Sequence, residues 1–144
     1  MVQELTMGEV RIPVLLTNIV DQINASTGRL SATETVRTYA GDAVVDTGAV
    51  CSVLPQHVAD ILGAQVLGQR RAQYADGRSE DVNVVGPLQF EINGRTTLEE
   101  ALVLGNEVLI GQTVLEKMDW LVDCTNRKLV GNPAHHNEQI LMVR

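Results

Sequence analysis

Apolar residues in this chain recur mostly in short runs with a period near two, separated by Gly, Asn, Asp and Pro, a pattern of strands and turns. Gly8–Val20 alternates imperfectly and is rich in Val, Ile and Leu; it predicts a strand with Pro13 at an edge or an irregular point. Asp21–Thr33 is polar and small and predicts a loop, after which Glu34–Val45 returns to strand and Val50–Leu54 forms a second apolar run. Pro55 suits a helix start, and Val58, Ile61 and Leu62 fall at helical spacing before Gly63, which predicts a short helix. Ala64–Tyr74 and Arg78–Val85 read as a hairpin across Asp76-Gly77, and Leu88–Ile92 and Arg95–Leu104 as another across Asn93-Gly94. Val108–Gly111 is a strand, and Gln112–Met118 the only other helix expected. Trp120–Asp123 and Lys128–Val130 pair across Cys124–Arg127, Asn132–Glu138 is a loop, and Ile140–Val143 is a terminal strand needing a partner to cover its edge.

At 144 residues the chain reads as one domain, 1–144, long enough for a core. Aromatic residues make up only 3%, so the core is built from Val, Leu and Ile, and the class expected is all-β with one or two short helices. The formal charge of −7 and the absence of a basic cluster beyond Arg70-Arg71 argue against nucleic acid as a partner. Met1–Val10 mixes acids with apolar residues, and no run approaches the length of a membrane span, so no membrane association and a cytoplasmic location are expected. Cys51 and Cys124 are too few for a disulfide framework and read as buried free thiols.

The chemistry concentrates at Ala43–Pro55, where one apolar strand runs into Asp46-Thr47-Gly48-Ala49 and another leaves it. A carboxylate at the end of an apolar strand is costly unless it is hydrogen-bonded or used. Gly48 lets the backbone turn sharply and offer N–H groups to Asp46, and the Thr47 hydroxyl is placed to brace the turn. His57 reads as a surface residue, and the adjacent His135 and His136 lack further ligands at suitable spacing, so neither a metal nor another cofactor is expected.

The apolar-apolar-Asp-Thr-Gly-Ala run resembles the active-site motif of retropepsin-like (clan AA) aspartic proteases. Leu109-Ile110-Gly111 ahead of the helix at Gln112–Met118 resembles the second mark of that family, and Tyr74-Ala75-Asp76-Gly77-Arg78 between them resembles its flap turn. These features cover roughly residues 43 to 118; with Leu121–Asp123, they are most similar to the small bacterial and cyanobacterial members.

The resemblance implies a retropepsin-like acid-protease β-barrel, a single-lobe protomer, and an aspartic endopeptidase with Asp46 as its catalytic residue. Thr47, Gly48 and Ala49 would support the active-site loop, and Tyr74, Ala75, Asp76 and Gly77 would close over an extended peptide or protein substrate, added as a strand. Such chemistry uses two carboxylates that share one proton, the ionised one activating water and the protonated one polarising the scissile carbonyl. Only one Asp-Thr-Gly exists here, so the second Asp46 comes from a second copy in a symmetric homodimer. Retroviral members carry an acid and an Arg where this chain has Val50 and Gln112, so that supporting pair is absent as a pair and the dimer leans on apolar and terminal contacts. The alternative is a non-catalytic peptide-binding or regulatory dimer on the same fold.

Overall fold

A computed structural model describes residues 9–143; Met1–Gly8, expected to hold the start of the first strand and no long apolar core, lie outside them. Strand β1 (Val10–Asn18) buries Val10, Ile12, Val14 and Leu16 on one face, the period-two pattern of a half-buried strand. It pairs along its length with β2 (Thr38–Val45), and only its last residues, Leu15–Asn18, also pair with β5 (Ser79–Ile92). Pro13 sits where β1 has a neighbour on one side only, the place a residue without an N–H is tolerated.

The strand stops at Asn18, and Ile19–Ser26 is helix α1, where the sequence predicted strand to Val20 and loop beyond. Asn18 ends the strand by capping the helix: its side-chain oxygen accepts from the Asp21 N–H at 3.0 Å, and its amide donates to the Leu62 carbonyl at 2.8 Å. Asp21 in the first turn is buried and receives the Arg37 backbone N–H at 3.0 Å and its guanidinium at 2.7 and 2.9 Å. Asn followed by Asp three residues later was a helix-start signal, masked by the apolar pair Ile19-Val20 that prolongs the strand pattern. Because Arg37 is held back against α1, β2 begins at Thr38 rather than at Glu34.

The remaining elements are β3 (Ser52–Leu54), α2 (Gln56–Leu62), β4 (Gln65–Gln73), β6 (Arg95–Val103), β7 (Val108–Ile110), α3 (Gln112–Met118), β8 (Trp120–Asp123) and β9 (Lys128–Gly131). There are thus three α-helices among the described residues, one more than the pattern predicted, and a single 3-10 turn at Pro133–His135 within the stretch expected to be loop. Gly63 closes α2 in the left-handed conformation (φ +57°), as a C-terminal glycine does. The two separate runs expected at Arg78–Val85 and Leu88–Ile92 are one strand, β5, with a register shift between Val85 and Leu88. Its first half pairs with β4 and its second half with β1.

The sheet order β1-β2-β7-β3-β6-β5 closes through the β1–β5 pairing into a six-stranded barrel, with β4 standing outside it. The protein is therefore mostly β, as its composition led one to expect. Closure covers the edges where Leu15–Asn18 of β1 meets Leu88–Glu91 of β5, while Val10–Val14 of β1 keep a strand neighbour on one side only. Phe90, Leu16, Leu54, Leu88, Ile92 and Ile110 fill the interior, and α2 and α3 add Val58, Leu62, Val114, Leu115 and Met118. β8 and β9 form a separate antiparallel pair beside it.

Two expectations fail outside the barrel. Cys51 and Cys124 are exposed, because one lies in the loop before β3 and the other in the β8–β9 turn. Ile140–Val143 pairs with no strand of the chain among the described residues; Leu141, Met142 and Val143 are 67%, 78% and 85% exposed.

Candidate functional site

Strand β7 decides where Asp46 goes. It runs parallel to β2, with Val44 opposite Leu109 and Val45 opposite Ile110, and antiparallel to β3, with Val53 opposite Leu109. The strands that enter and leave the Asp46–Cys51 loop are thus held apart by a third strand, and the loop has to cross the end of β7. The Asp46 N–H continues the ladder onto the Ile110 carbonyl at 2.9 Å.

That crossing takes place at Gly111. A Cβ there would lie 2.6 Å from the carbonyl carbon and oxygen of Cys51 and 2.9 Å from the Val50 oxygen, so no side chain fits. The Gly111 N–H donates to the buried Ser52 hydroxyl at 2.9 Å. Helix α3 begins next with no side-chain cap; its Gln112 and Thr113 N–H groups donate to the Ala49 and Val50 carbonyls at 2.8 and 3.2 Å. The loop therefore caps the helix, and the helix fixes the loop.

Within the loop, Asp46 is half-buried and its Oδ1 accepts from the Gly48 N–H at 3.0 Å, while the Ala49 N–H reaches the Asp46 carbonyl at 3.2 Å. Thr47 and Gly48 are exposed and Ala49 is half-buried. The sequence-predicted residues Asp46 to Ala49 and Leu109 to Gly111 are thus brought together by backbone bonds. Gln112 turns its side chain along its own helix to Glu116 at 3.2 Å.

Tyr74–Gly77 sits apart, at the tip of the β4–β5 hairpin. The turn is closed by Tyr74 N–H to the Arg78 carbonyl at 2.8 Å and Gly77 N–H to the Tyr74 carbonyl at 3.0 Å, with Gly77 at φ +91°. Asp76 accepts from the Arg78 backbone N–H at 3.0 Å and its Nε at 2.7 Å, and those two bonds hold its carboxyl below the usual range. Arg78 stacks 4.9 Å from the Tyr74 ring centre, and the Tyr74 hydroxyl bonds Glu80, whose carboxylate pushes the phenol up. Strand β4 is exposed throughout except at Ala72, so the hairpin stands off the barrel.

The middle of that hairpin and the end of the Asp46–Cys51 loop share a cavity of about 220 Å³, lined by Cys51, Arg70, Arg71, Val84, Glu100, Ala101 and Leu102. Its floor is apolar and its rim is charged. Sequence reasoning missed this recess, since its walls come from four segments that no local pattern joins. Arg70 reaches Glu100 only at 3.9 Å, and Arg71 is engaged with Asp81 at 3.3 Å. His57 lies exposed on α2, and no cluster of three metal-ligating side chains exists among the described residues. No helix among those residues is long and apolar enough to cross a membrane.

The arrangement offers one carboxylate per chain, aimed by backbone groups at the end of a barrel strand, beside a recess sized for a side chain. No protein-family model and no curated protein matches the chain.

Proposed function

We propose that the chain is a homodimeric aspartic endopeptidase of the retropepsin kind, in which the Asp46 carboxylates of two copies activate the water that attacks a peptide bond. The observation that carries this reading is the crossing at Gly111: β7 lies between the strands flanking the Asp46 loop, and α3 hangs from that loop's carbonyls. Two carboxylates that must share a proton have to be held within hydrogen-bonding reach of one another, and a loop locked by its own backbone supplies that rigidity. The Gly48 N–H on Oδ1 fixes the carboxyl plane without neutralising it. The β4–β5 hairpin supplies a flap, and the recess beside Cys51 receives a substrate side chain.

The test is Asp46→Asn. The amide oxygen still accepts from Gly48, so melting temperature and dimer content are expected to stay as in the wild type, while cleavage of a mixed peptide library is lost. Cleavage by the purified variant at the wild-type rate refutes the assignment. A wild-type dimer that binds peptides but cuts none supports the alternative, a peptide-binding module.

A further inference from the structure

The recess beside Cys51 has a floor and a rim of different chemistry. Val84 and Ala101, both buried, form the floor with Leu102, and they lie together because β5 and β6 pair Val84 with Leu102 and Val85 with Ala101. The rim carries Arg70 and Arg71 from β4 and Glu100 from β6. The walls thus hold two guanidinium groups and one carboxylate, a positive balance in a chain whose formal charge is −7.

The two arginines are not equally engaged. Arg71 meets Asp81 at 3.3 Å and donates to the Ser79 hydroxyl at 3.2 Å, both on the neighbouring strand. Arg70 faces only Glu100, at 3.9 Å, the longest ion pair among the described residues, and its side chain is 68% exposed. By contrast Arg11, Arg37 and Arg78 each hold a carboxylate at 2.7 to 2.9 Å. A guanidinium presents five N–H donors in a planar fork that fits a carboxylate with two parallel bonds, and Glu100 at this distance fills none of them.

Resting on the endopeptidase reading above, we propose that Arg70 is a specificity-determining residue, and that the recess selects peptides carrying a glutamate side chain near the bond to be cut. Cys51 ends the loop that begins at Asp46, so a side chain that enters the recess belongs to the same extended peptide that lies over Asp46. Alternate side chains of such a peptide point the same way, and pockets read them one by one. The two methylenes of glutamate cover the apolar floor, and its carboxylate meets the unfilled fork of Arg70. Glutamine has the same size without the charge, and lysine would bring a third cation to the rim. Glu100 and the surrounding water oppose the gain, so the preference is that of a screened pair, about fivefold.

A peptide array with glutamate, glutamine or lysine placed in turn at every position of an extended peptide tests the assignment. The wild type is expected to favour glutamate over glutamine at one position by about fivefold in kcat/KM, and the ratio should shrink as salt is raised. In Arg70→Gln the ratio should fall to about one, and Arg70→Lys, which keeps the charge without the fork, should retain part of it. Arg70→Glu should pass the preference to lysine, an exchange that a merely structural role for Arg70 would not produce. Binding of the same peptides to Asp46→Asn, read by fluorescence anisotropy, gives the ratio independently of cleavage. Glutamate and glutamine treated alike at every position, or a ratio untouched by Arg70→Gln, overturns the role of Arg70 and leaves the protease reading standing. A wild type that cuts no peptide of the array, while Asp46→Asn binds the glutamate peptides more tightly, overturns the protease reading and keeps Arg70 as the selector of a peptide-binding site. Neither cleavage nor binding overturns both.

Discussion

Replacing Gly111 by Ala tests the crossing on which the site depends. The backbone conformation is not the obstacle, since Gly111 has φ −88°. Space is: the added methyl would stand 2.6 Å from two atoms of Cys51 and 2.9 Å from the Val50 oxygen, all of them backbone. Rotating a side chain relieves nothing, so the Val50–Cys51 segment has to move away from β7. Overpacking of this kind costs about 1–3 kcal/mol. The move also stretches the bonds from Gly111 to Ser52, Gln112 to Ala49 and Thr113 to Val50, each with a net worth of about 1 kcal/mol. Losing one or two of them, and allowing about 0.5 kcal/mol in the other direction for the stiffer unfolded chain, gives a net loss of about 2–4 kcal/mol. For a domain of this size that is on the order of 10 °C in melting temperature. Gly48→Ala is the control: its methyl would meet only the Asp46 carboxylate oxygen, at 3.3 Å, so a loss below about 1 kcal/mol is expected. Urea titration of the two variants, followed by circular dichroism, measures the difference. Equal and small losses for both would refute the claim that the loop is locked at Gly111. Peptide cleavage by Gly111→Ala, measured well below its melting temperature, should fall further than stability alone explains, because Asp46 is displaced with the loop.

Asp21→Asn should lower stability at pH 7 by about 1–2 kcal/mol, the exposed half of Arg37 being screened by water. The Arg37 guanidinium holds the Asp21 carboxyl below its usual range, so the gap between wild type and variant is present above about pH 4 and closes as pH falls further; a gap unchanged at pH 2 would contradict the pairing. Asn18→Ala removes both the cap of α1 and the tie to the Leu62 carbonyl and should cost about 1–3 kcal/mol, with amide exchange in α1 rising first; unchanged exchange there would argue against the cap. Truncation after Glu138 should shift the protein toward monomer in sedimentation and reduce specific activity at low concentration, whereas a fully dimeric, fully active truncation would remove the terminal segment from the interface.

Local chemistry was legible along the chain. Asn93-Gly94 turns with both residues at positive φ, +50° and +84°, as that pair does between two strands, and Gly63 ends α2 as read. The strand leading into Asp46, the hairpin tip at Asp76-Gly77 and the helix after Gly111 all lie within a few residues of where the pattern puts them, because each depends on neighbours in sequence. Periodicity states which face of a strand is buried; it does not state which strand lies alongside. Hence the insertion of β7 between β2 and β3, the closure of β1 on β5 and the recess beside Cys51 were decided only in three dimensions. The exposure of the two cysteines and the bond from the Ile140 N–H to the Asp119 carboxylate were decided the same way, since a thiol's burial and a carboxylate's partner depend on segments far away in sequence. Asp46 shows both halves at once: its type and turn are written locally, and its rigidity comes from Ile110, Gly111 and Gln112, more than sixty residues downstream.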